Sequence, residues 1–341
     1  MSNNSTCNAT TNEPFSPLNE GHPVLGSLYI AHGTIYLIPY IPCMIVMVQN
    51  KLYKMPCYKI MIFMGVLDVL NLFSAAFLAG YYSIIGRSYR EGDRFMPTVG
   101  ATALGMWAAY CACCILLAFN RCVDLRSQHW SEKMFGGKRA LLWLLIPIFY
   151  GGFFASPAQP KVVYSADIGV WFIDGDPICH TVNNIVTCAA LIGLYICLVV
   201  LLWKKTRGAN SESVSAMQKQ VIVQSCLICL LDMLACISYI IIQAAKTSLP
   251  LEVYKVSQFM WQACHGGNTV IYLTMNRTIR KGVLRLIRGK PVNSVNVAAN
   301  DQMQNPGNSL SSKNRLLTER DENQRRGTIS DRRATLSTNH Q

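Results

Sequence analysis

Apolar residues along the chain gather into seven long blocks separated by short polar segments. The blocks run about Val24–Val48, Ile60–Ile85, Pro97–Phe119, Ala140–Ala158, Thr181–Trp203, Gln220–Ala245 and Val256–Met275, and only Asp68 and Asp232 carry a formal charge inside them. A helix needs roughly 20 apolar residues to cross the hydrocarbon core of a bilayer, and each block reaches about that length. The pattern predicts an all-α membrane protein, a seven-transmembrane helix bundle spanning residues 24–290, preceded by a polar segment at 1–23. After the seventh block, Ile279, Val283, Leu284, Leu286 and Ile287 alternate with Arg280, Lys281, Arg285 and Arg288. That alternation suits a short amphipathic helix lying on the membrane surface. Residues 291–341 are rich in Asn, Ser and Arg with little apolar content, so they are expected to be a disordered tail.

Charge fixes an expected orientation. Segments 49–59, 120–139, 204–219 and 276–290 hold 18 Lys and Arg, against six in 1–23, 86–96, 159–180 and 246–255. Positive charge marks cytoplasmic loops, which puts the N-terminus outside and the tail inside. Asn3, Asn4 and Asn8 each open an N-x-Ser/Thr sequon on that outer side, where glycosylation is expected. Asn276 opens another, but on the cytosolic side. The net charge of +13 is accounted for by juxtamembrane Lys and Arg facing anionic lipid, so no nucleic-acid partner is implied. The first 23 residues contain no Lys or Arg. A cleavable signal is therefore not expected, and the first block serves as the insertion signal.

The 14 cysteines sit mostly in or beside the blocks, where Cys acts as a small hydrophobe. Cys7 and Cys179 fall in extracellular segments and could form a disulfide, with Cys264 an alternative partner. In the tail, "RRGT" and "RRAT" make Thr328 and Thr335 candidate phosphorylation sites for a basophilic kinase.

A carboxylate near mid-bilayer costs at least ~2.5–3.5 kcal/mol on insertion scales. Asp68 and Asp232 must therefore be protonated, paired or facing water. Asn71 and Asn268 are the expected partners of Asp68, while the sequence leaves the role of Asp232 open. A ligand pocket is expected between the outer helix halves. Its candidates are His32, Tyr36, Tyr81, Tyr82 and Trp107, then Asn183, Asn184, Thr187, Tyr239 and Gln243, then Trp261, Gln262 and His265. The third block has no carboxylate to pair with an amine, which favours a neutral or anionic ligand.

Other classes fit poorly. No lysine lies between Val256 and Met275 to carry a retinal Schiff base. Within the blocks only His32 and His265 are histidines, too few for an intramembrane zinc hydrolase. There is no glycine-rich phosphate loop and no metal-ligand cluster, so neither an enzyme nor a cofactor is expected. An insect-type odorant channel would place its N-terminus inside. A transporter relaying protons through Asp68 and Asp232 is the strongest rival, though seven helices without an internal repeat argue against it.

The stretch "YCACCILLAFNRCVDL" raises one more question, because Arg121 stands at the cytoplasmic end of the third block. Snorkelling to anchor a helix end is one reading. Other residues at matched depths suggest a second. Arg121, Asp68, Trp143, and Asn268 with Tyr272 in "NTVIY" sit where the G-protein-coupled receptors carry their motif residues, and the chain resembles that group. Asn120 and Cys122 flank the arginine in place of Asp and Tyr, and Thr269 stands in place of proline. "AFNRCVDL", "LLWLLIPIFYG", "GVWFIDGDP" and "GGNTVIYLTMNRTIRKGV" resemble the nematode serpentine chemoreceptors of class T more narrowly. The resemblance implies a plasma-membrane receptor, in a sensory cell and its cilium, that binds a small chemical ligand and activates a heterotrimeric G protein. It also implies that Arg121, with Asn120, Asp124, Asn268 and Tyr272, serves activation. Asn120 is neutral, so Asp124, three residues after Arg121, would pair with that arginine as an exposed contact of ~0.3–0.5 kcal/mol. In related receptors a sodium ion occupies the region of the second-helix aspartate. Here the bulky Tyr110, eleven residues before Arg121, makes a poor sodium ligand.

Overall fold

Polarity is inverted relative to a soluble protein. Ile35, Ile38, Phe149 and Val199 are among many large apolar side chains turned outward, while Asp68, Asp232, His265, Asn268 and Gln262 are fully buried. Hydrocarbon solvates the first set, and bundle partners must satisfy the second. The structure is a computed structural model and describes residues 20–207, 216–245 and 249–289. Residues 293–341 lie outside them, as do Asn3, Asn4, Cys7, Asn8, Thr328 and Thr335.

The first span is α1 (Pro23–Gln49). The second starts as α2 (Pro56–Leu72), widens into a π-helical turn at Phe73–Leu78 and ends as α3 (Ala79–Ile85). The third is α4 (Phe95–Arg126), followed by the short α5 (Gln128–Phe135), which Ser127 caps by accepting from the Trp130 N–H. The fourth is α6 (Arg139–Trp143) with α7 (Leu145–Phe154). After α8 (Ile178–Arg207), α9 (Ala216–Ala245) and α10 (Leu251–Met275) comes α11 (Arg277–Ile287). Among the described residues, five helices are long and apolar enough to cross a membrane by length and composition. The fourth span is shorter. The seventh, α10, buries Gln258, Gln262, His265, Asn268 and Thr269, and this inward polar face lowers its overall hydropathy.

Helix contacts use small residues. A Cβ on Gly105 would meet the Gly151 carbonyl oxygen at 2.6 Å, and one on Gly151 would meet Gly105 as closely. Two glycines thus let the backbones of α4 and α7 touch. The aromatic of the fourth span, Trp143, donates to the Met134 carbonyl at 3.1 Å and stacks on Phe135. The amphipathic helix forms as expected. Asn276 caps α11 by accepting from the Thr278 and Ile279 N–H groups, and Ile279, Gly282 and Val283 face the bundle while Ile287 is turned out.

The segment between the fourth and fifth spans departs from an all-helical expectation. It forms an antiparallel hairpin of β1 (Lys161–Ser165) and β2 (Val170–Asp174), in which Tyr164 faces Trp171. Gly169, at φ 77°, supplies the left-handed turn residue that other residues adopt with strain. The hairpin folds onto the bundle. Trp171 donates to the Ser74 carbonyl at 3.1 Å, and Tyr164 hydroxyl meets that of Ser83 at 2.6 Å.

Candidate functional site

Three clusters of polar and aromatic residues line the bundle from the hairpin end to the Arg121 end. The first surrounds a cavity of about 210 Å³. The hairpin roofs it with Trp171, Phe172 and Ile173, and Trp107, Tyr239 and Trp261 form its walls. Drug-sized sites run ~300–1,000 Å³, so this one suits a smaller molecule. Gln243 and His180 add polarity at one side. Gln243 accepts from the Thr181 hydroxyl at 2.6 Å, and its amide nitrogen lies 2.6 Å from His180 Nδ1. No Asp, Glu, Lys or Arg lines the cavity among the described residues. The indole N–H of Trp261 is buried there without a hydrogen-bond partner.

Of the expected pocket residues, Trp107, Tyr239, Gln243 and Trp261 line this cavity, and the others do not. Tyr81 is 54% exposed on the outer face of α3. His32 lies 2.9 Å from the Gln262 amide oxygen, and Tyr36 packs on Gly266, so both serve the contact between α1 and α10. Asn184 stands behind the wall, accepting from Trp107 Nε1 at 3.1 Å and from Asn183 at 3.0 Å. Thr187 is buried on α8, and Tyr82 packs against Tyr164 and Trp171. His265 lies deeper, with its ring edge-on to Trp107 and to Tyr110. The hairpin and His180 escaped the sequence reading. Two β-branched, aromatic runs flanking a Gly-containing turn were the available hairpin signal.

The π-helical turn explains how the roof is fixed. In this wider turn the Ser74 carbonyl accepts from Trp171, and the Ala75 carbonyl accepts from Gln258 at 2.8 Å and Gln262 at 2.9 Å. Such turns are rare and cluster at functional sites.

The second cluster holds Asp68. His265 Nδ1 lies 2.8 Å from its Oδ1, while Tyr40 hydroxyl and Asn268 Nδ2 donate to Oδ2, the latter at 2.8 Å. The expected partner Asn71 instead donates to the Leu67 carbonyl four residues back at 3.1 Å. Helix geometry decides this, because an i−4 carbonyl is the nearest acceptor to a buried amide on its own helix. Asn268 also donates to Tyr110 hydroxyl at 2.8 Å. The other buried carboxylate, Asp232, receives the Cys111 thiol at 3.6 Å, with Cys114 beside it, and among the described residues its Oδ2 has no hydrogen-bond partner.

The third cluster holds Arg121. The sequence placed it in an exposed pair, but its side chain is only 7% exposed. It donates to Asn120 Oδ1 at 2.6 Å and lies 3.4 Å from Asp124. Nearby, Asn276 donates to Tyr58 hydroxyl at 2.7 Å and to Gln224 Oε1 at 3.1 Å, joining α2, α9 and α11 at one residue. Tyr272 is buried with an unpartnered hydroxyl and packs edge-on to Tyr40. Cys179 and Cys264 are not joined to each other, and Cys7, the other candidate for a disulfide, lies outside the described residues.

A family model described as the serpentine type seven-transmembrane chemoreceptor Srt matches residues 2–296. The chain belongs to this class T family of chemoreceptors. Among curated proteins, serpentine receptor class T-55 of Caenorhabditis elegans is 23% identical over 274 residues, covering 77% of this chain and 74% of the relative. Among solved structures, squid rhodopsin superposes with a TM-score of 0.67 at 12% identity, over 82% of this chain and 90% of that one. The likeness shows the fold alone: a seven-helix receptor bundle. The protein is thus a multi-pass membrane receptor of the G-protein-coupled type rather than an enzyme, and family membership displaces the transporter reading.

Proposed function

We propose that this Srt-family receptor detects a small, uncharged molecule in the cavity under the hairpin and signals through a heterotrimeric G protein at the plasma membrane. The observation that carries the ligand class is the Trp261 indole N–H, buried against an apolar cavity with no partner. A buried donor left unmade costs ~1–3 kcal/mol, and a ligand carbonyl, ether or hydroxyl oxygen would satisfy it. An ionised ligand would meet no counter-charge among the described lining residues, and burying it would be costly.

A contact route links the cavity to the Arg121 end. Trp107 walls the cavity and meets His265, which pairs with Asp68; Asp68 binds Tyr40, and Tyr40 packs on Tyr272. In the arrangement seen here, Arg121 is folded onto Asn120 and Asp124. On activation the bundle would open at that end, and the guanidinium would be free to donate to backbone carbonyls of the G-protein tail. The lysine-rich and arginine-rich segments at the same end support its cytosolic placement.

The test is expression in a heterologous cell with a G-protein activation readout, using matched panels of neutral oxygenated, carboxylic and amine compounds. Neutral compounds should activate. Trp261→Phe keeps the ring and removes the donor, and should raise the half-maximal ligand concentration about tenfold, in keeping with one lost hydrogen bond. Arg121→Lys should reach the surface and lose most signalling, because an ammonium lacks the planar fork of donors. Full signalling by Arg121→Lys at matched surface level would reduce Arg121 to a membrane-edge anchor, and exclusive response to charged compounds would overturn the ligand class.

A further inference from the structure

The contact route from the cavity to Tyr272 leaves one buried carboxylate unused. Asp232 is fully buried on α9, and its Oδ2 has no hydrogen-bond partner. Cys236, four residues on, shares that helix face. From α4, Cys111 faces both. The two thiol sulfurs and a carboxylate oxygen of these three buried residues all lie within 4.8 Å of one another.

Two sulfurs and one oxygen converging in a dry interior are a donor set for zinc. Zinc takes Cys sulfur at ~2.3 Å and carboxylate oxygen at ~2.0–2.2 Å in a tetrahedron, whose edges are then about 3.5–3.8 Å. The existing separations need to contract by only about an ångström to reach this geometry. Calcium and magnesium require oxygen ligands, so the thiols disfavour them. Packing alone accounts for a lone buried cysteine, but it leaves the Asp232 oxygen without a partner in a place where such an oxygen is costly.

We infer that Cys111, Asp232 and Cys236 form a zinc site bridging α4 and α9. Binding forms two zinc–thiolate bonds and one zinc–carboxylate bond and releases to solvent the two thiol protons and any proton that the Asp232 carboxyl carries. The fourth position falls to water or to Cys114, which neighbours the same carboxylate. Trp107 and Tyr239, one turn toward the hairpin from Cys111 and Cys236, wall the cavity. The site therefore lies directly beneath the cavity and ties together two of its walls. It does not depend on what the cavity binds.

The experiment uses the full chain, purified in detergent, reduced and stripped with a chelator, then titrated with cobalt(II) as a spectroscopic probe and with zinc as competitor. The expected result is about one cobalt per chain with tetrahedral visible bands and a thiolate-to-metal charge-transfer band, all lost on adding zinc. Cys111→Ser, Cys236→Ser and Asp232→Asn should each weaken binding at least about tenfold, whereas Cys197→Ser, at an exposed thiol, should not. Absence of the charge-transfer band in the folded natural chain would overturn the proposal without recourse to any variant. So would binding that survives Cys111→Ser and Cys236→Ser, or a Cys111–Cys236 disulfide found by peptide mass spectrometry in the unreduced protein.

Discussion

Asp68 and Asp232 are equally buried, each at 0% exposure, yet their surroundings differ sharply. Asp68 is held from two neighbouring helices: Tyr40 on α1, and His265 and Asn268 on α10, all converge on it in α2. Asp232 has the Cys111 thiol on one oxygen and, among the described residues, no hydrogen-bond partner on the other. Burial alone therefore says little about what a charged side chain contributes. A surrounded carboxylate is part of the scaffold, because removing it strands its donors. A half-empty one adds little to the scaffold and is free to accept something from outside it.

Removing the surrounded carboxylate should have the largest effect. Asp68→Ala leaves three buried donors without their acceptor and should cost roughly 3–5 kcal/mol, the range for breaking a buried pair from one side. It should show as a steep fall in surface expression and in melting temperature in detergent. Asp68→Asn keeps the volume but turns an amide N–H₂ toward groups that themselves donate, and should cost roughly 1–3 kcal/mol. If Asp68→Ala melts like the natural chain, the three hydrogen bonds are not what holds α1, α2 and α10 together.

The two carboxylates also mark how far the sequence could be read. Both were visible as single charges interrupting apolar runs, and Arg121 was visible as a charge at the end of one. Their partners were not, because no pattern within one helix reports what another helix brings. Asn268 could be matched to Asp68 by its motif position, but Tyr40 and His265 lie 28 and 197 residues from Asp68. Asn71 shows the converse: its closeness in sequence suggested a partner, and its own helix claimed the side chain. The seven spans were legible because bilayer thickness forces a length on each. The π-helical turn in the second span was not, since nothing in "FSAAFL" distinguishes it from ordinary helix. The hairpin was overlooked because a loop between two spans was read for its charge and aromatic content and not for alternation. Asp232 and Cys236 share one face by their four-residue spacing, and these two of the three proposed zinc donors could have been read from the sequence. Cys111, on α4, could not.

A third carboxylate, outside the spans, gives an intermediate case. Asp93 pairs with Arg87 at 2.8 Å, and its Oδ1 accepts from the Phe95 and Met96 N–H groups at the start of α4. Partial burial acts to raise its pKa, but the Arg87 hydrogen bond and charge, with the Met96 and Phe95 N–H groups, outweigh it and hold the carboxyl below its ordinary range. A lowered value in the folded state means that the stabilisation is complete at neutral pH. It is lost only as the pH falls through that lowered value. Asp93→Ala should therefore cost about 1 kcal/mol, the size of a helix cap. The cost should stay flat across pH 5 to 8 and shrink under acid, below the ordinary carboxylate value of about 4. A cost that instead grows toward low pH in thermal melts of the two proteins would reverse the assignment.

The smallest effect is expected at Asp232, and its sign matters more than its size. In chelator-treated protein, Asp232→Asn replaces a carboxylate that has one weak thiol donor and one unmade oxygen. The amide carries no charge to bury, and its oxygen can still accept from Cys111. Because replacing an ill-satisfied buried charge by a neutral group of the same volume is often neutral or stabilising, the change should fall within about 1 kcal/mol of zero, with a gain more natural than a loss. Set beside Asp68→Asn, which keeps the same shape and makes the same chemical change, this pair of variants isolates the number of partners as the cause. Equal losses at both positions would mean that burial itself sets the effect, and the contrast between the two carboxylates would collapse. If zinc then raises the melting temperature of the natural chain but not of Asp232→Asn, the carboxylate that adds little to the bare scaffold is the one that holds the ion.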